Sequence, residues 1–131
     1  MDNPYFASAL DVLRRFYGYQ NFRPAQEPVI QSLLGGHDTV AVMPTGAGKS
    51  ICFQIPAMVF PGITLVVSPL ISLMKDQVDA LAEQGIPATY INSTLSMSES
   101  NTRLNAIAAG QYKLIYVAPE RLDTSYFQYI L

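Results

Sequence analysis

A glycine-rich segment of this chain reads Met43-Pro44-Thr45-Gly46-Ala47-Gly48-Lys49-Ser50. It follows a β-prone run, Thr39-Val40-Ala41-Val42, and opens a helical pattern. Glycines here let the backbone turn with its N–H groups inward, and the positive end of the following helix attracts an anion. A lysine at the helix start supplies charge to β- and γ-phosphates, and a serine hydroxyl is a ligand for Mg²⁺. The segment predicts a nucleoside-triphosphate site whose members are Thr45, Gly46, Ala47, Gly48, the catalytic cation Lys49 and the Mg²⁺ ligand Ser50. Residues 43–50 are called the phosphate loop below.

Strand and helix patterns alternate on the carboxyl side of this segment. Further strands are predicted at residues 63–67, 88–91 and 113–117, and helices at about 49–60, 70–84 and 97–109. The last helix opens with a capping box, Ser96 and Glu99. Such alternation requires right-handed crossovers, which predicts an α/β fold with a parallel sheet and helices on both faces. Two helices are predicted upstream, from Pro4 to Gly18 and from about Pro24 to Gly35. We expect an N-terminal helical part, residues 1–36, and one domain over residues 37–131.

Composition excludes several classes of protein. Of 131 residues, 50% are apolar and 14% charged, against about 25% charged in average soluble proteins, which argues against a disordered tail. The net charge of −2 leaves nucleic-acid binding to a local patch. The most apolar window, residues 60–74, is interrupted by proline and glycine, so no membrane partner is expected. A single Cys52 and a single His37 argue against a zinc site and favour a reducing, cytoplasmic location.

Four stretches together resemble the RecQ family of superfamily 2 DNA helicases. They are residues 16–26 (Phe16 to Gln26), 43–56 (Met43 to Pro56), 66–78 (Val66 to Val78) and 118–122 (Ala118 to Leu122). Met43 stands where the general phosphate-loop pattern has glycine, but this opening is normal in that family. The resemblance implies a RecA-like P-loop NTPase fold, ATP and Mg²⁺ as cofactors, and single-stranded and duplex DNA as partners. It also implies ATP-dependent 3′-to-5′ helicase activity in DNA repair and recombination, and in a bacterium an association with the nucleoid.

The same resemblance assigns roles to residues outside the phosphate loop. Tyr19 and Arg23 would sandwich adenine, and Gln26 would bind its N6/N7 edge. The residues alone favour a different interpretation, in which Tyr19 is a core-edge aromatic and Arg23 and Gln26 are ordinary cap residues. Contacts with DNA are implied for Ser68, Pro69, Asn92, Ser93 and Arg121. The residues themselves leave open that Asn92 and Ser93 form a plain turn and that Arg121 pairs with Glu120.

The Asp-Glu-Ala-His motif that the family uses for hydrolysis does not occur in these 131 residues. We therefore expect an N-terminal fragment, incomplete at its C-terminus, that cannot hydrolyse ATP alone and that associates through an unpaired sheet edge. The second lobe and the modules that hold zinc in the family would lie outside it. The alternatives are a non-hydrolysing nucleotide-binding regulatory module, an unrelated P-loop kinase, and a structural α/β domain with a vestigial loop.

Overall fold

The computed structural model of the chain describes residues 3–44, 46 and 48–123. It divides into two compact units, Met1–Pro61 and Gly62–Leu131. Residues 37–61 thus group with the N-terminal helices. The domain boundary expected after residue 36 stays a prediction. No helix within the described ranges is long and apolar enough to cross a membrane.

The first unit is helical. Helix α1 spans Pro4–Val12, α2 spans Glu27–Leu34 and α3 spans Lys49–Val59. The apolar faces of these helices enclose a core whose buried members are Ala9, Leu13, Phe22, Ile30, Leu34 and Ile55. Asn3 caps α1 by accepting a hydrogen bond from the Tyr5 N–H at 2.8 Å.

Two helix ends differ in detail from the prediction. Helix α1 continues as one π-helical turn, Leu13–Tyr17, before Gly18 ends it with a φ of 75°. Helix α2 begins at Glu27 and not at Pro24, because residues 24–26 form a turn. Pro28 consequently occupies the first turn, where a backbone N–H has no partner within the helix, so the proline removes no hydrogen bond there.

The prediction of a strand at residues 39–42 is wrong for this structure. The segment has no regular secondary structure, and Val40 and Val42 are 93% and 94% exposed. A β-prone sequence becomes a strand only when a neighbouring backbone completes its hydrogen bonds. Residues 39–42 form no strand pairing with any residue that the structure describes.

The second unit contains a parallel sheet of the described strands β1 (Thr64–Val67), β2 (Ala88–Ile91) and β3 (Leu114–Val117). The order is β1-β3-β2, and Val67, Val117 and Ile91 stand side by side at the carboxyl ends. All four residues of β3 are buried, as expected of a central strand covered on both faces.

Helix α4 (Ile71–Glu83) joins β1 to β2, and α5 (Met97–Ala108) joins β2 to β3. The chain moves across the sheet in opposite directions in these two connections. Right-handed crossovers therefore place the two helices on opposite faces. Helix α5 packs Leu104 and Ile107 against Ile115 and Val117. The predicted α/β class, a parallel sheet with helices on its faces, is confirmed.

Candidate functional site

The phosphate-loop residues lead into the N-terminus of α3. Lys49 is the first residue of the helix and is exposed, and Ser50 follows it partly buried. No described side chain caps this end, and its first turn carries no acidic residue. The first-turn N–H groups of the helix thus keep their capacity to bind an anion. Thr45 and Ala47, the other predicted members of the loop, lie outside the described residues.

The backbone conformation of residue 48 and its surroundings both favour glycine there. Its φ is 78°, in the left-handed region that glycine adopts without strain. A Cβ on this residue would collide with the side-chain nitrogen Nε2 of Gln26, which donates a hydrogen bond to the Gly48 carbonyl at 3.2 Å. The loop can therefore approach the Gln26 amide only because residue 48 has no side chain.

Gln26 and Arg23 both contact the loop. Gln26 is 2% exposed, and its Oε1 accepts a hydrogen bond from the Arg23 backbone N–H at 2.9 Å. The Arg23 guanidinium donates to the Gly46 carbonyl at 2.8 Å. These bonds join two segments that are 22 and 23 residues apart in sequence.

A cavity of about 120 Å³ lies at this junction. Its lining residues are Tyr19, Asn21, Arg23, Gln26, Gly48 and Ile51. Tyr19 is 53% exposed, so its ring is accessible to a ligand. All three predicted base-contacting residues therefore border one cavity that adjoins the loop. Asn21 and Ile51 were not predicted; for Asn21 the signal was its place between Tyr19 and Arg23.

A second cavity in the first unit, of about 330 Å³, is lined by residues of α2, of α3 and of the segment between them. Lys49, Cys52 and Met43 are among its lining residues. The Cys52 sulfur lies 3.8 Å from the Met43 sulfur and 3.9 Å from the Gly48 carbonyl. Burial raises the pKa of this thiol because it disfavours the charged thiolate.

The residues predicted to contact DNA lie in the second unit, at the carboxyl edge of its sheet. Ser68 and Pro69 follow β1, Asn92 and Ser93 follow β2, and Arg121 lies in the turn after β3. Parallel strands end at the same edge, so the topology brings these residues together. The Arg121 guanidinium donates to the Asn92 carbonyl at 3.3 Å, which joins two of the three strand ends.

The side chains at this edge differ in how far they are accessible. Ser93 and Pro69 are exposed, and Ser68 is partly buried with its hydroxyl oxygen accepting from the Leu70 N–H at 3.1 Å. Asn92 is 1% exposed; its Oδ1 accepts from the Thr94 N–H at 2.9 Å. The Asn92 side chain therefore stabilises the turn after β2, and Ser93 is the accessible member of that pair.

A metal site built from protein side chains alone is absent from the described ranges. No three His, Cys, Asp or Glu side chains come together there as they would around a metal ion. The only predicted metal contact is the Ser50 hydroxyl on a cation brought with the nucleotide, and this stays a prediction.

Comparison with known proteins identifies the family to which the chain belongs. Residues 23–130 match the family model for DEAD/DEAH box helicases. The chain is 52% identical over 124 residues to the ATP-dependent DNA helicase RecQ of Haemophilus influenzae, covering 94% of this chain and 20% of the relative. It is 53% identical to the protein of the same name in Bacillus subtilis, covering 94% and 21%. It is 42% identical to the mouse ATP-dependent DNA helicase Q1, covering 95% and 19%.

The chain spans about one fifth of the length of each of these three relatives. The family model nevertheless covers most of the chain, including Arg23, Gln26, the phosphate loop and the carboxyl edge of the sheet. The chain therefore belongs to the DEAD/DEAH box helicase family, and its relatives are RecQ helicases.

Proposed function

We propose that this chain is the ATP-binding part of a RecQ-type DNA helicase that moves 3′ to 5′ along DNA. The observation that carries the proposal is the α3 N-terminus, which no described side chain caps and which adjoins the cavity of Tyr19, Arg23 and Gln26. An uncapped helix end suits phosphates, and an aromatic ring with a guanidinium and an amide suits a purine base.

In this proposal, the first-turn N–H groups of α3 and the Lys49 ammonium bind the phosphates. Tyr19 stacks on the base and Gln26 reads its edge. Arg23 reaches the base face after exchanging its bond to the Gly46 carbonyl, which it makes in this structure. The Ser50 hydroxyl holds a Mg²⁺ ion, which supplies charge neutralisation to the phosphates when it is bound.

We further propose that Ser68, Pro69, Ser93 and Arg121 contact the DNA backbone. Three strand ends and the exposed Ser93 at one sheet edge support this assignment. Hydrolysis and unwinding would require the acidic motif and the second lobe of a complete RecQ-type protein. The acidic motif in question, Asp-Glu-Ala-His, does not occur in these residues.

The test uses the protein encoded by the complete reading frame and fluorescent ATP. Lys49→Ala should weaken ATP binding about 10- to 100-fold, as expected when a charged hydrogen-bond donor is removed. Lys75→Ala is the matched control, since Lys75 lies on the exposed face of α4 and pairs with Asp79 at 2.6 Å. Equal affinity in the wild-type and Lys49→Ala proteins would refute the nucleotide site.

A second measurement separates a helicase from a kinase. ATP turnover by the same protein should rise when single-stranded DNA is added and should release inorganic phosphate. Transfer of phosphate to a small metabolite with no response to DNA would reject the helicase proposal and favour an unrelated P-loop kinase.

A further inference from the structure

One hydrogen bond in the first unit joins the helix of the phosphate loop to the segment that leads into the base cavity. The Tyr17 hydroxyl donates to Oε1 of Gln54 at 2.7 Å, across 37 residues of sequence. Gln54 lies on α3 and is 5% exposed, between buried apolar residues of the same helix. A buried amide is costly unless it is hydrogen-bonded, so the bond specifies where Tyr17 lies against α3.

Tyr17 lies two residues before Tyr19, so its hydrogen bond affects the position of a residue that lines the cavity. Tyr17 is the last residue of the π-helical turn, and Gly18, in the left-handed region, connects it to Tyr19. Arg14 of the same turn donates from Nε to the Gln20 carbonyl at 2.9 Å. The residues on both sides of Tyr19 are thus attached, one to α3 and the other to the π-helical turn.

The phosphate loop and α3 also supply residues that line the cavity. Gln26 donates to the Gly48 carbonyl, and Gly48 and Ile51 of α3 are among the lining residues. The position of the Tyr19 segment relative to the loop residues that line the cavity therefore depends on two amide hydrogen bonds. One is made by Gln26 and the other by Gln54.

We infer that Tyr17 is a positioning residue for base recognition, which acts through Gln54 and does not touch the nucleotide. This inference rests on the proposed ATP site and adds a residue to it. Loss of the Tyr17 hydroxyl leaves the α3 N-terminus and Lys49 in place but frees the Tyr19 segment. Binding energy from the base is then reduced, and binding energy from the phosphates is kept.

The test compares two ligands that share phosphates and differ in the base. ATP and inorganic tripolyphosphate are titrated against the full-length wild-type protein and the Tyr17→Phe variant. We expect ATP affinity to fall about two- to tenfold, the effect of one lost hydrogen bond, while tripolyphosphate affinity stays within about twofold. Tyr5→Phe is the matched control, because Tyr5 is on α1 and its ring contacts Phe60 instead of the cavity.

The possible outcomes separate failure of the inference from failure of the proposed nucleotide site. An equal loss for both ligands would show general loosening and would overturn it, as would unchanged ATP affinity. If Lys49→Ala leaves the affinities for ATP and tripolyphosphate unchanged, the proposed nucleotide site is refuted. If Lys49→Ala weakens binding of both ligands and Tyr17→Phe weakens binding of neither, only the role of Tyr17 is refuted. Hydrogen exchange provides an independent measurement: amides of residues 19–23 should exchange faster in Tyr17→Phe, whereas unchanged exchange there would reject the attachment.

Discussion

Replacing Gly48 with alanine should destabilise the first unit by two separable effects. The φ of 78° places the new side chain in the left-handed region, which costs about 1–2 kcal/mol. The new methyl group also collides with Gln26 Nε2, so the buried amide loses its bond to the Gly48 carbonyl. Leaving a buried polar group without its partner costs about 1–3 kcal/mol. We expect a total loss of about 2–5 kcal/mol.

Gly36→Ala is the matched control for the backbone effect. Gly36 has a φ of 81°, and no described atom lies within 4 Å of the position of its Cβ. Its substitution should cost only the strain, about 1–2 kcal/mol. Urea unfolding of the full-length protein, followed by hydrogen exchange of the α2 and α3 amides, measures both losses within this unit.

A double-mutant cycle tests the collision itself. In a Gln26→Ala background, the new methyl group at position 48 no longer meets the amide, so Gly48→Ala should cost about 1–3 kcal/mol less than in the wild type. Additive losses, or equal losses in Gly48→Ala and Gly36→Ala, would refute the close approach of Gln26 to the loop.

Three further predictions concern the second unit. Hydrogen bonds from Ser96 lower the pKa of the Glu99 carboxyl. The stabilising effect of Glu99 on α5 is therefore present above the unfolded-state pKa and is lost as the pH falls through the folded-state pKa. Hydrogen exchange of the α5 amides should show this loss in acid for the wild type and not for Glu99→Gln. Ile115→Ala, at a position with 0% exposure, should cost about 2–5 kcal/mol in urea unfolding, and a cost below 1 kcal/mol would contradict its place in the core. Arg121→Ala should weaken single-stranded DNA binding similarly for all sequences and reduce the salt slope by about 1, whereas loss of preference for particular bases would argue against a phosphate contact.

Local sequence signals predicted the elements that depend on near neighbours. The capping box of α5 forms as predicted, with the Ser96 N–H donating to Glu99 at 3.0 Å and the Glu99 N–H donating to Ser96 at 3.1 Å. The three strands described in the second unit lie within one residue of their predicted bounds. Hydrogen bonds between residues three or four apart and the burial of short apolar runs are encoded locally, which explains this agreement.

The strand ends that carry the predicted DNA contacts were also accessible to sequence reasoning. Once three runs are assigned to one parallel sheet, their carboxyl ends must lie at the same edge. The sequence did not show which side chains point outward there. Asn92 is buried beneath the turn and Ser93 is exposed, although the two are adjacent in the chain.

The amino-acid sequence by itself determined which residue types the phosphate loop contains, and glycines, a lysine and a hydroxyl before a helix predict phosphate binding. Only the tertiary structure decided that residues 39–42 form no strand pairing among the described residues, since pairing requires a second backbone. It also decided that Gln26 is buried against Gly48 and that Tyr17 reaches Gln54. These contacts join residues 22 and 37 positions apart, and no local pattern specifies which distant side chains the packing of helices will bring together.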